Sequence, residues 1–275
     1  MTVEAATPGA PALQRVALGV SYDGRAYNGW QSQADGNTVQ DQLEAALQSF
    51  ATGPKPSTLC AGRTDAGVHG LMQVVHFDTP ITRDPLSWVR GTNRYLPRDI
   101  AIQWAHFVPR EFHARASALT RRYAYILYAG RVRPTIDRAR VGWIHRSVDV
   151  DAMRAAASCL TGTHDFSSFR ASQCQSHTPI KTLEPIRLKA CGAYVRLDFE
   201  ANAFLHHMIR NIVGCLVDIG IGRQQPEWLN EVLAARSRSA ASPTFSADGL
   251  FFLGPRYPEA FGLPTHCDPF DGLPL

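Results

Sequence analysis

Along the first stretch of chain, apolar residues fall at every second position. Between residues 14 and 21, Val16, Leu18 and Val20 alternate with small or polar neighbours, the period of a strand with one buried face. The period then lengthens. Val39, Leu43, Leu47 and Phe50 lie on one stripe of a helix, with Thr38 placed to cap it and Gly53-Pro54 to stop it. Strands are expected at 57–61 and 72–79, on either side of a glycine-rich segment. Asp84 followed by Pro85 opens a second helix, because proline at the first helical position forfeits no hydrogen bond. A strand at 100–108, with Ile100, Ile102 and Trp104 on one side, completes a β-α-β-β-α-β unit.

The second half repeats this order. A strand at 121–128 and a helix at 150–160 precede two strands, 182–190 and 193–199, around a turn at Cys191-Gly192. A long apolar helix at 205–219, a shorter one opened by Pro226 and a strand at 249–253 follow. The pattern predicts an α+β fold of two ferredoxin-like, or RRM-like, β-α-β-β-α-β halves, whose antiparallel sheets form a central cleft. The halves divide as 14–110 and 111–257, and the proline-bearing tail 258–275 reads as loop or disorder.

Composition narrows the class. With 275 residues, 45% of them hydrophobic, the chain can bury roughly 70% of its unfolded surface, which excludes collagen-like and fully disordered classes. The apolar stretch at 212–222 is interrupted by Asp218 and too short to span a bilayer, so no membrane association is expected. The opening MTVEAATPGAPALQR carries Glu4 and lacks an apolar run, which does not read as a signal peptide and predicts a cytoplasmic location. Six cysteines without a C-x-x-C are expected to be free thiols, not a zinc cluster.

Charge is mild overall, +4, yet unevenly placed. Only Lys55, Lys181 and Lys189 of the 28 positive residues are lysines, and planar guanidinium groups suit phosphate and base contacts. Nine arginines lie between Arg110 and Arg146, against Glu111 and Asp137 alone, an electrostatic footprint for a polyanion. Codon bias would also enrich arginine, and a solvated surface would also carry it.

Chemistry concentrates in the run Cys60-Ala-Gly-Arg-Thr-Asp-Ala-Gly-Val-His-Gly70. Residues two apart on extended backbone share a face, so Arg63 and Asp65 should point the same way. A neighbouring guanidinium keeps a carboxylate ionised where water is partly excluded, which suits Asp65 to nucleophilic work. The plain alternative is a turn-stabilising ion pair. Tyr123, following Arg121 and Arg122 on a strand, places an aromatic platform beside paired cations, a combination that binds flipped bases; it could equally be a core tyrosine. His206 and His207 are adjacent and should diverge on a helix, so no metal site is expected; with Arg210 and Asn211 they read as a phosphate-facing surface or a capped helix end. Phe166 and Phe169 read as core.

The run from Cys60 to Gly70 resembles the signature of the tRNA pseudouridine synthase A (TruA) family. So do SYDGRAYNGWQSQ, LMQVVHF, FHARASALTRRYAYILY, GTHDFSSFR, QCQSHTP and NAFLHHMIRNIVG, in that family's order, over roughly residues 14–257. The resemblance implies isomerisation of uridine to pseudouridine at positions 38, 39 and 40 of the tRNA anticodon stem-loop, without cofactor or metal, by a homodimer. It implies that Asp65 is the nucleophile or deprotonating carboxylate, and that Arg63 fills the space of the flipped nucleotide or holds a phosphate. By the same carry-over Tyr123 stacks on the uracil as proton acceptor or hydrogen-bond partner and Leu250 lines its other side, with Arg121, Arg122 and His69 among the substrate-binding residues. Two departures stand out: Arg94 in Asn93-Arg94-Tyr95-Leu96-Pro97, where alanine is usual, and Gly249-Leu250-Phe251-Phe252, which replaces a usual tyrosine.

A non-catalytic RNA-binding protein with two such units, or a hydrolase that cleaves the base using Asp65, fits parts of the same pattern. Against the binder stands the carboxylate itself, which weakens the hold on an anionic ligand unless it has a chemical task.

Overall fold

The computed structural model describes residues 13–264. The first half runs β1 (Gln14–Tyr22), α1 (Val39–Ala51), β2 (Leu59–Cys60), β3 (His69–Thr79), α2 (Pro85–Asn93) and β4 (Ile100–Val108). All neighbouring strands here are antiparallel, in the order β4-β1-β3-β2. Val16, Leu18 and Val20 are fully buried beneath the two helices, as their alternation requires. Burial of each contributes roughly 1.5–3 kcal/mol, which fixes the face that β1 turns inward. Thr38 caps α1 by accepting from the Asp41 N–H at 3.3 Å, and Asp84 caps α2 by accepting from the Ser87 N–H at 2.9 Å.

The second half runs β5 (Thr120–Ala129), β6 (Gly142–Ile144), α3 (Val150–Ala157), β7 (Gly162–Asp165), β8 (Ile180–Leu183), β9 (Arg187–Cys191), β10 (Tyr194–Ala201), α4 (Met208–Gly220), α5 (Trp228–Ala235) and β11 (Leu250–Arg256). The sequence β11-β5-β10-β9 repeats the arrangement of the first half. The expected strand at 182–190 is broken into β8 and β9 where Pro185 removes a backbone donor. Two short strands, β6 and β7, add to the expected set, since three or four residues carry no measurable period.

In place of the two separate sheets expected, the strands form a single one. β11 pairs antiparallel with β5 and, on its other edge, parallel with β3 through Phe251↔His69 and Phe252↔Gly70. A seam of two residue pairs leaves no pattern in the chain. Tyr22, Gly70, Phe252 and Tyr123 stand opposite one another across it, so the helix-covered faces of the two halves are continuous. The central groove is therefore floored by one sheet and walled by two groups of helices.

The tail begins ordered. Tyr257 and Phe261 pack on Phe112 with ring centroids 5.1 and 5.2 Å away, and the Tyr257 hydroxyl donates to the Ala114 carbonyl at 2.6 Å. The rest of the expected tail and the N-terminal segment read for targeting lie largely outside the described residues. Among the described residues the five cysteines are free, and no helix is long and apolar enough to cross a membrane. Phe166 and Phe169 are core residues, both fully buried.

Candidate active site

The loop between β2 and β3 is held by the segment that follows β1. The Tyr22 hydroxyl meets Thr64 Oγ1 at 2.9 Å, and the Trp30 N–H donates to the Thr64 carbonyl at 3.1 Å. Gly29, at φ +88°, passes so close that a Cβ there would stand 2.5 Å from the Thr64 carbonyl oxygen. Gly24 is pressed likewise against the Val68 carbonyl, and the Val68 N–H closes a turn onto the Asp65 carbonyl at 3.2 Å. The block SYDGRAYNGWQSQ is thus a cradle for the Asp65 loop, and the buried Tyr22 and Trp30 belong to it.

The charge around Asp65 comes from the other half of the molecule. Arg210 Nη1 donates to Asp65 Oδ2 at 3.0 Å, while the Nε2 atoms of His206 and His207 lie 3.4 Å from Oδ1 and Oδ2. The carboxylate side chain retains 22% exposure, so a substrate can reach it. Burial alone would push its pKa up; the hydrogen bond to His206, the charge of His207 and the hydrogen bond from Arg210 outweigh this and hold it below the usual aspartate value. His206 is raised by its bond to Asp65, and His207 is lowered by burial. The result is an ionised carboxylate, anchored through Oδ2 and open to the groove.

The guanidinium beside Asp65 is therefore Arg210, where the sequence suggests Arg63. Arg63 is exposed and donates to Gln175 Oε1 at 3.0 Å, at the rim of the site. The loop is not extended strand here, because Thr64 turns inward to Tyr22 and the backbone folds at Asp65. Nor do His206 and His207 diverge. His207 adopts a left-handed conformation, φ 62°, ahead of α4, which breaks the helical phase and aims both rings at Asp65. Both histidines and Arg210 are visible in the sequence as a polar cluster; their 141-to-145-residue separation from Asp65 hides what they face.

Tyr123 is brought to the same place. Its ring lies 4.8 Å from Phe252 and 5.1 Å from Phe204, and its hydroxyl faces Gly62, whose Cβ would stand 3.8 Å from it. Burial, with further contributions from Tyr22 and Asp65, raises the phenol far above its ordinary value, so it is a neutral hydrogen-bond donor at rest. Sequence reasoning misses Phe204 and Phe252, although Phe252 follows Leu250 at strand spacing.

The other expected binding residues are engaged elsewhere. Arg121 spends its donors on the backbone carbonyls of Ala61, Arg115, Ala118 and Asn202, tying the start of the Asp65 loop to the segment before α4. Arg122 alternates with Tyr123 and so lies on the opposite sheet face. Leu250 is buried opposite Tyr125, two residues along from Phe252. His69 is buried too: Nδ1 accepts from the Gly24 N–H at 3.2 Å, Nε2 meets the Ala139 carbonyl at 2.8 Å, and the ring stacks on Phe251 at 4.7 Å. A cavity of about 730 Å³ beside His69, bounded also by Leu71, Arg98, Arg140 and Tyr194, does not include Asp65 in its lining. Asp65 lies outside that cavity, with its side chain still 22% exposed.

A family model described as tRNA pseudouridine synthase matches residues 19–115 and 156–258. A protein of Albidiferax ferrireducens named tRNA pseudouridine synthase A is 63% identical over 260 residues, covering 94% of this chain and all of that protein. One of the same name from Polaromonas naphthalenivorans is 61% identical over 264 residues, with the same coverage. A solved chain titled "Structure of H/ACA RNP bound to a substrate RNA containing 2'-deoxyuridine" is far more remote: 11% identity over 74% of this chain and 44% of its own length, TM-score 0.37.

Proposed function

The chain belongs to the tRNA pseudouridine synthase family, and from that premise we propose that Asp65 carries out the isomerisation with its charge set by Arg210 and His206. The protein converts uridine to pseudouridine in tRNA. The C1′–N1 bond breaks, the uracil turns while bound, C5 bonds to C1′, the proton on C5 leaves to water, and N1 takes up a proton in its place. Composition is unchanged, so no external reductant, oxidant or group donor enters the balance.

A base inside a stem is beyond reach of Asp65 and must be everted at a cost of a few kcal/mol. Tyr123, between Phe204 and Phe252, offers the everted uracil an apolar platform with a neutral phenol to donate to a carbonyl. Asp65, ionised and partly exposed, then begins the reaction. Arg63 exchanges Gln175 for the RNA, filling the vacated space or holding a phosphate. Arg121 and His69 act from behind, one fixing Ala61 and the other the Ala139 turn of the arginine-rich segment. The substrate is the anticodon arm at positions 38, 39 and 40, the working form a cytoplasmic homodimer, and the halves 14–110 and 111–257 two ferredoxin-like units fused through β11.

The observation that carries this reading is one carboxylate receiving Arg210 at 3.0 Å and two imidazoles at 3.4 Å, next to Tyr123 in an open groove. Incubation with unmodified tRNA tritiated at uracil C5 tests it. Tritium should appear in water, and Asp65→Asn should lower that rate by at least about four orders of magnitude while tRNA affinity is largely kept. Free labelled uracil would mean hydrolysis. Retained turnover in the variant would remove Asp65 from the chemistry.

A further inference from the structure

The carboxylate of Asp65 and the two imidazoles beside it have the spacing of metal ligands. The Nε2 of His206 lies 3.4 Å from Asp65 Oδ1 and that of His207 3.4 Å from Oδ2, and the donor atoms of all three residues fall within 4.8 Å of one another. Both separations exceed the usual N–H···O hydrogen-bond length of about 2.7–3.2 Å, so the His206–Asp65 bond is a long one. Donors bound at about 2.0–2.1 Å around one tetrahedral ion are separated by about 3.3–3.4 Å. The left-handed backbone at His207 creates this convergence, bringing the ring centroids of adjacent histidines to 4.0 Å.

The trio is also accessible, with side-chain exposures of 22% for Asp65, 35% for His206 and 28% for His207. An ion can enter from the groove, and a fourth position remains open toward it. Imidazole with carboxylate selects borderline transition metals over Mg²⁺ and Ca²⁺, which prefer all-oxygen shells. Arg210 opposes any cation here: its own charge stands 3.0 Å from Oδ2, which weakens the site relative to a four-ligand structural centre.

We propose that Asp65, His206 and His207 form an inhibitory site for a transition-metal dication such as Zn²⁺, whose occupancy masks the carboxylate and shuts the groove to an everted base. The isomerisation needs no metal in this scheme; the ion competes with the substrate. The proposal goes beyond the reading of the reaction, and its principal test does not depend on turnover.

Co²⁺ titrated into the full-length chain without RNA is the probe. One equivalent should give the intense visible bands of tetrahedral coordination, displaced by Zn²⁺. Asp65→Asn, His206→Gln and His207→Gln should each weaken binding at least about tenfold, whereas Arg210→Gln, which removes the competing charge, should tighten it. Wild-type protein supplies a measurement free of folding artefacts: Zn²⁺ should inhibit tritium release competitively with tRNA, and a chelator should restore it. Absence of the bands in wild type at submillimolar Co²⁺, or bands unmoved by the histidine substitutions in folded variants, overturns the site. Bands that behave as expected without Zn²⁺ inhibition overturn the inhibitory role. If tritium release itself fails, the cobalt titration still decides the site.

Discussion

The two halves contribute different things to one carboxylate. The first half supplies shape: Tyr22, Gly24, Gly29 and Trp30 grip the backbone on either side of Asp65 without offering it a charge. The second half supplies charge: Arg210, His206 and His207 set the ionisation of a residue to whose loop they contribute no backbone. A charged carboxylate built this way is complete only when both halves dock, and Arg121 links the two by bonding to Ala61 and Asn202 together. Shape and charge should therefore fail separately, with different kinetic signatures.

Breaking charge should have the larger effect. In Arg210→Ala the burial that pushes Asp65 up loses one of its opponents, the one at 3.0 Å, while His206 and His207 remain, and the carboxyl moves up toward its ordinary value of 3.8. We expect kcat to fall about 10²–10³-fold, as for loss of one preorganised charge partner, with the acid limb of the pH–rate profile shifted upward and partial recovery in Arg210→Lys. Single-turnover tritium release against pH measures both. A change confined to KM would make Arg210 a tRNA-binding residue and would erase the distinction between the halves.

Breaking shape should cost less in rate and more in stability. A methyl at Gly29 meets the Thr64 carbonyl at 2.5 Å and forces a positive φ on a residue with a side chain. Gly29→Ala should destabilise by about 1–3 kcal/mol and lower kcat about tenfold by shifting the loop. Gly36→Ala makes the control, since that glycine also has a positive φ, +67°, but nothing within 4 Å of the added carbon. Melting temperature should fall in both, and turnover only in Gly29→Ala.

This division also explains what can be read in the chain. Local periods foretell β1, α1, α2 and β4 closely, because each depends on interactions within or next to its own segment. Asp65 and Tyr123 are legible because their motifs are contiguous. Arg63 stands in the sequence as the partner of Asp65 only because proximity along the chain substitutes for proximity in space, and Arg210, 145 residues away, carries no local mark of its target. The convergence of His206 and His207 depends on one backbone angle, φ 62°, that a histidine seldom adopts and that helical phase would forbid. The seam between β11 and β3 is invisible for the same reason: it is a long-range pairing of two residue pairs.

A third region sharpens the contrast by having neither role. Arg131, Arg133 and Arg138 are exposed on the segment that His69 anchors through Ala139. Replacing all three with alanine should weaken tRNA binding and reduce the salt slope by about one for each phosphate no longer neutralised, while kcat at saturating tRNA stays unchanged. A filter-binding series over salt concentration checks it. An unaltered slope would leave the basic segment as solvated surface and return the burden of tRNA binding to the groove.

The smallest effect should come from the linker that joins the halves. His76 is 3% exposed; its Nδ1 accepts from the Ala114 N–H at 3.1 Å, and its ring packs against Phe112 and His113. Burial, then the positive charges of Arg15 and His113, lower its pKa from 6.5 to about 4. The folded protein thus keeps His76 neutral where the unfolded chain would bind a proton. The stability it contributes is complete above pH 6.5 and declines as pH falls from 6.5 toward 4. Arg15, which donates to the Arg110 and Phe112 carbonyls, adds its charge to the same repulsion, so acid should loosen the linker before it protonates Asp65. Urea unfolding at about pH 7 and about pH 5, on either side of the unfolded histidine value, should show a loss in wild type that is smaller in His76→Gln, whose amide oxygen can still accept from Ala114. Equal losses in the two proteins would place the acid sensitivity elsewhere and leave the docking of shape onto charge independent of this residue.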